Sequence, residues 1–240
     1  MKKDVNYQRK HFNKNVNIPD KTYVDKLILN DRINFIISEI NPDYSVLDLG
    51  CGNGHITKSI SSYVKKIIGV DFSKESIKLA NQKKAGKNIE YIISSIDELP
   101  FKNNFDTVIL CEVIEHVENP NYLVKKIKQY LVNNGKFIIT TPNRKRIFNR
   151  LRVFFNKEES LVSESHVKEF SYGELKELLE KNGFEIISYK GSILGPTTYL
   201  EKKKIPKFII KILHNLGKIF PSFATYIFVS CKKIKGDNKK

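Results

Sequence analysis

Ser45-Val46-Leu47-Asp48-Leu49-Gly50-Cys51-Gly52-Asn53-Gly54 is the stretch that decides the fold. A short apolar run ends at an acid, and three alternating glycines follow. Ser45–Leu49 has the make-up of a strand buried on both faces. Glycines let the chain turn tightly and let backbone approach a ligand with no Cβ in the way. The ligand of such a turn sits outside the carboxyl end of the strand, against the start of the next helix. Two ligand classes compete for it. The nicotinamide-dinucleotide pattern G-x-G-x-x-G needs its third glycine one residue beyond Gly54. Asp48, ahead of the turn, suits a ligand with an ammonium group and no pyrophosphate, as the α-amine of a methionine would supply.

Outward from this stretch, strands and helices alternate. Strands are predicted at Ser45–Leu49, Lys66–Asp71, Ile89–Ser94, Phe105–Cys111 and Lys136–Thr141, with helices near His55–Tyr63, Lys74–Lys84 and Tyr122–Leu131 between them. The runs SVLDL, KIIGV, TVILC and KFIIT are almost wholly apolar, which fits a parallel sheet covered on both sides. A helix is predicted from Thr22 to Ile40, with Asp20 near its start and Asn41-Pro42 ending it. Beyond the alternating region, Tyr172–Asn182 reads as a helix closed by Gly183, Phe184–Tyr189 as a strand and Phe223–Lys232 as the last strand. The expected class is α/β: a doubly wound, mostly parallel seven-stranded sheet with an antiparallel C-terminal strand. One domain is expected over 1–240: a helical cap (1–44), a ligand-binding core (45–142), a lid or insertion (143–170) and a C-terminal part (171–240). Asp71 ends the second strand, where a carboxylate accepts from both hydroxyls of a ribose. Both ligand classes contain a ribose, so Asp71 does not choose between them.

The ordered set VLDLGCGNG, GVDFS, SSIDELPF, FDTVILCEVIEHVENP and FIITTPNR resembles the class I S-adenosylmethionine-dependent methyltransferases. Within that class the chain is most similar to the ubiquinone-biosynthesis O-methyltransferase group, from about Arg32 to Phe184. The resemblance implies S-adenosylmethionine as the methyl donor, lodged on Asp48, Gly50, Cys51, Gly52 and Gly54. It implies that Asp71 and Phe72 hold the ribose, that Ser95 and Ile96 flank the adenine, and that Cys111 and Glu112 border the donor. Many relatives carry Asp where Ser95 stands, which predicts a weaker contact to the adenine amino group. Arg32 matches, at shifted spacing, an arginine that meets the methionine carboxylate.

Glu112, Glu115 and His116 follow the fourth strand. On a helical turn, positions i, i+3 and i+4 share one face, so two carboxylates and an imidazole would converge. Such donors suit Mg²⁺, and the imidazole admits Mn²⁺ or Zn²⁺. In the resembled group this E-x-x-E-H pattern accompanies a divalent ion near the acceptor. Alternatively, Glu112 shapes the donor pocket, Glu115 is solvated, and His116 acts as a metal-free general base or a bystander. His166, within Ser163–Ser171, faces the pocket in relatives and is the second candidate base; loop packing is the other reading.

The net charge is +16. Residues 1–142 carry 21 basic and 16 acidic side chains, and the remainder carry 21 and 10. That surplus suits an anionic membrane surface or another anionic partner, although a Lys-, Asn- and Ile-rich composition produces one without selection. Arg144–Phe155 and Ile205–Phe220 are basic and amphipathic, as membrane-surface helices, a substrate lid or core helices would be. Three cysteines without CxxC spacing point to a reducing, cytoplasmic setting, peripheral to a membrane at most. No signal peptide is legible in the N-terminal residues, and no run reaches the roughly 18 apolar residues of a spanning helix. The expected partner is a small or lipid-like hydroxylated acceptor. The rivals are an RNA methyltransferase, for which no basic-aromatic binding module is present, and a non-catalytic donor-binding protein.

Overall fold

The computed structural model describes residues 22–84, 86–102, 104–203 and 205–234. Asp20, expected near the first helix start, and the N-terminal residues read for a signal peptide lie outside these. Helix α1 (Tyr23–Glu39) starts instead from Thr22, whose hydroxyl accepts from Asp25 N while the Asp25 carboxylate accepts from Thr22 N. Strands β1 (Ser45–Leu49), β2 (Lys66–Asp71), β3 (Ile89–Ile93) and β4 (Phe105–Cys111) alternate with α2 (His55–Ile60) and α3 (Lys74–Gln82). Then come α4 (Pro120–Tyr130), β5 (Leu131–Pro142), α5 (Ile147–Phe154) and α6 (Tyr172–Lys181). The chain continues through β6 (Phe184–Ser192), α7 (Thr197–Lys202), α8 (Lys207–Ile219) and β7 (Tyr226–Lys233).

The seven strands form one sheet in the order β3-β2-β1-β4-β5-β7-β6. Pairings from β3 through β5 are parallel, and β7 runs antiparallel to both β5 and β6. The expected fold class is the one observed. β5 starts five residues earlier than predicted, because Leu131 pairs with Phe105 across a register irregularity. Successive strand residues face opposite sides. Leu47, Leu49, Val108, Leu110, Phe137 and Ile139 enter one apolar layer; Val46, Ile67, Ile109, Ile138 and Phe228 enter the other. Two buried faces explain why the strand sequences lack polar alternation.

The two basic stretches behave differently from one another. In α8 the buried positions are Ile210, His214 and Gly217. A Cβ on Gly217 would lie 2.3 Å from the Ile193 backbone nitrogen, so only glycine permits this approach. Asp31 of α1 clamps the helix, accepting from Lys218 at 2.7 Å and meeting His214 Nε2 at 2.6 Å. Phe208, Ile212 and Ile219 therefore point outward and are exposed. In the other stretch, Arg144 and Lys145 pair with Glu159, and Arg146 is buried against Glu169. Three of the five basic residues from Arg144 to Arg152 are thus turned to carboxylates within the fold.

Candidate active site

The carboxyl ends of β3, β2, β1 and β4 lie side by side, and the expected donor-binding residues line that edge. After β1 the backbone doubles back: Gly50 N and Cys51 N both donate to Val70 O, at 2.8 and 3.0 Å. Gly52 has φ +53, and a Cβ built there meets nothing within 4 Å, leaving open space of the kind a ligand needs. Asp71 spans the turn, accepting from Gly52 N at 2.9 Å and Ser73 N at 2.8 Å. Burial raises its carboxyl despite these donors. Asp48 is buried beneath the turn and accepts from Thr57 Oγ1 at 2.6 Å. Burial lifts its carboxyl to about 6, opposed by Thr57 and reinforced by the Asp71 charge. Two carboxylates crowded below a glycine turn favour a cationic ligand above it. Phe72 follows Asp71, and Ser95 and Ile96 open the turn after β3; all three are half-buried.

The end of β4 holds the second half. Cys111 is half-buried beside Arg32, and Glu112 adopts φ +55, a left-handed conformation unusual for a residue with a side chain. That turn sends the Glu112 carboxylate to Arg32 Nη2 at 2.9 Å and to the Thr140 hydroxyl at 2.9 Å. Arg32 Nε remains buried without a hydrogen-bond partner. Glu112 consequently leaves the expected metal trio, since residues 112–116 are not one regular helical face: only Ile114–His116 form a short 3₁₀ turn. Glu115 and His116 converge instead with His166, their candidate ligand atoms lying within 4.8 Å of one another. The Glu115 carboxyl is fully buried; Oε2 accepts from Thr141 Oγ1 at 3.2 Å and Oε1 has no partner. Burial, then the nearby Glu112 charge, pushes this carboxyl well above the ordinary range.

The loop before α6 brings His166 to this place. Val167 N and Lys168 N donate to Glu115 O, at 2.8 and 3.2 Å, and the two imidazoles meet edge to face with centroids 4.9 Å apart. His116 Nδ1 lies 3.2 Å from Ser165 O. A carbonyl only accepts, so neutral His116 carries its proton on Nδ1 and its lone pair on Nε2. His166 Nδ1 meets Glu169 Oε1 at 2.9 Å. Burial would raise the Glu169 carboxyl, but His166 and Arg146 outweigh it and hold it low. Sequence reading missed Glu169, Arg146 and the Arg32–Glu112 pair. The spacing His166-x-x-Glu169 was the available signal for the first.

The model of the methyltransferase domain family matches residues 40–191. The ubiquinone biosynthesis O-methyltransferase of Rickettsia canadensis is 31% identical over 176 residues, covering 68% of this chain and 74% of that protein. The rat mitochondrial ubiquinone biosynthesis O-methyltransferase is 29% identical over 162 residues, covering 63% of this chain. The chain spans about half the length of that rat relative, 47%. Among solved structures, YcgJ of Bacillus subtilis superposes with a TM-score of 0.62 at 20% identity, covering 86% of this chain and all of that one. Magnesium protoporphyrin IX methyltransferase from Synechocystis, solved with SAH bound, gives 0.65 at 15% identity, covering 96% of this chain and 100% of that one. The family match over most of the chain agrees with the glycine turn, its two carboxylates and the strand order: the chain belongs to the methyltransferase domain family and has the class I methyltransferase fold.

Proposed function

We propose that the chain methylates the oxygen of a small or lipophilic hydroxylated acceptor, of the quinol, phenol or sugar kind. The observation that carries this reading is the cluster of buried Glu115, half-buried His116 and buried His166 beside the donor-binding edge. The ubiquinone-pathway names of the Rickettsia and rat relatives support it. S-adenosylmethionine, when bound, supplies an electrophilic methyl group. The residues present fit that donor. Gly52 leaves room, Asp71 offers a carboxylate to ribose hydroxyls, and Arg32 has a guanidinium nitrogen to spare for a carboxylate. On the acceptor side, an imidazole lone pair takes the proton from the acceptor hydroxyl and makes its oxygen a better nucleophile. The Glu115 carboxyl and the two imidazoles also fit a divalent cation, which would lower the pKa of that hydroxyl.

The test is transfer of tritiated methyl into a cell extract fractionated into lipid, RNA, protein and small molecules. Label in hydroxylated lipids or small molecules is expected; label confined to RNA would favour the rival. Activity lost in EDTA and restored by Mg²⁺ or Mn²⁺ is the outcome expected of a metal. Full activity in excess EDTA leaves the histidines as base.

A lipophilic acceptor lies in a bilayer, and the outward side of α8 suits one. Phe208, Ile212 and Ile219 are 66%, 53% and 65% exposed, and neither α8 nor α5 contains an acidic residue. Phe154 and Phe155, at the end of α5, are exposed as well, and the Arg150 guanidinium lies 4.5 Å from the Phe223 ring. Lys207 and Lys211 favour an anionic phospholipid surface as the partner rather than a second copy, whose charges would repel.

A further inference from the structure

Glu169 is only 1% exposed in the loop that delivers His166. Its Oε1 meets His166 Nδ1 at 2.9 Å and also accepts the backbone N–H of Val162. Its Oε2 accepts from the guanidinium of Arg146, itself 4% exposed. Arg146 also donates to the carbonyls of Asn143, just beyond β5, and Ser160 in the loop. The carboxylate is therefore fixed by two other donors before the imidazole is considered. A buried ion pair by itself is a weak device for stability, since apolar residues often replace one without loss. The third partner, a histidine at the candidate centre, gives this pair a different use.

We propose that Glu169 is a positioning residue that fixes His166 as its Nδ1–H tautomer, leaving the Nε2 lone pair for the pocket shared with Glu115 and His116. A carboxylate only accepts, so the imidazole nitrogen facing it must be N–H. The ring then presents its lone pair on the opposite side, whether it serves as base or as ligand. Ser165 O imposes the same tautomer on His116, so two lone pairs are prepared by two unlike acceptors. Arg146 keeps the Glu169 carboxylate from rotating away. The inference rests on the proposed role of His166 in methyl transfer, but the tautomer itself does not depend on an acceptor.

Long-range ¹H–¹⁵N correlations of the histidine rings, recorded at a pH where they are neutral, read the tautomer in the protein without ligands. Wild type is expected to show His166 protonated on Nδ1. Glu169→Gln has one oxygen, and the charged guanidinium of buried Arg146 outcompetes the neutral Val162 N–H for it. The amide N–H₂ then faces His166 Nδ1, so the ring proton moves to Nε2. That variant should lose about 10- to 100-fold in kcat, the range for residues that orient a working histidine, with donor affinity kept. On a His166→Ala background Glu169→Gln should cost less than about twofold more, because coupled residues are not additive. A purely structural role would lower activity equally on both backgrounds. An Nε2–H tautomer in wild type, or an unchanged tautomer in Glu169→Gln, overturns the proposal. Should Glu169→Gln fail to fold, the wild-type spectrum decides alone. If the tautomer is as expected but His166→Ala is fully active, the functional reading fails and the positioning stands.

Discussion

Burial lifts the Asp48 carboxyl to about 6 in the fold, against an ordinary 3.8. A carboxyl raised by folding holds its proton better in the native state, so its contribution to stability is complete below the unfolded value. That contribution is lost as pH rises from about 4 through 6, and amounts to roughly 3 kcal/mol at 1.36 kcal/mol per unit. Asp48→Asn keeps an acceptor for the Thr57 hydroxyl and removes the charge. Its ligand-free form should therefore be more stable than wild type at pH 8, by about 2–3 kcal/mol, and not at pH 4. Urea denaturation at both pH values checks this, and equal differences at both would refute it. Asp71→Ala removes the acceptor of Gly52 N and Ser73 N as well as the ribose partner, so S-adenosylmethionine should bind at least about tenfold more weakly. Gly52→Val should do likewise, with a strain cost of about 1–3 kcal/mol from a branched residue at positive φ. Calorimetry showing wild-type affinity for both variants would contradict the donor site. Asp48 and Gly52 lie on one strand-turn-helix segment and Asp71 ends the neighbouring strand, so short-range pattern places all three at one sheet edge. His166 beside His116 was only expected by resemblance, since an irregular loop across 50 residues makes that meeting and no periodicity encodes it.

Helix α8 shows how much an element's sequence withholds. Its apolar residues occur nearly all around, so their spacing predicts a helix but leaves its inward side undecided. Contacts from α1 and β6, remote in sequence, select the side bearing Ile210, His214 and Gly217. Gly217→Ala should thus destabilise the protein by about 1–3 kcal/mol through overpacking, although alanine favours a helix by up to about 1 kcal/mol. Thermal and urea unfolding check the sign. On the opposite side, Phe208→Glu and Ile212→Glu should leave stability within about 0.5 kcal/mol, because surface changes cost little. Their association with anionic vesicles should be abolished, as sedimentation would show. Wild type that ignores such vesicles at low salt would dispose of the membrane surface.

The sheet as a whole was legible from its apolar runs, whereas the start of β5 and the end of β6 were not, because strand pairing rather than composition sets them. Across the molecule, basic residues collect in the C-terminal part, and vesicle binding should fall steeply between low and 1 M salt, where the screening length shrinks to about 3 Å. The placement of β7 between β5 and β6 has a consequence for how the protein is made. β6 precedes β7 in the chain but reaches the rest of the sheet only through it. While a ribosome is still threading the last residues, at about 5–20 per second, β6 has no seat and the flank of β5 stays unpaired. For several seconds the nascent polypeptide therefore displays an apolar, hydrogen-bond-hungry flank, the kind of surface that chaperones shield, and the final strand closes it.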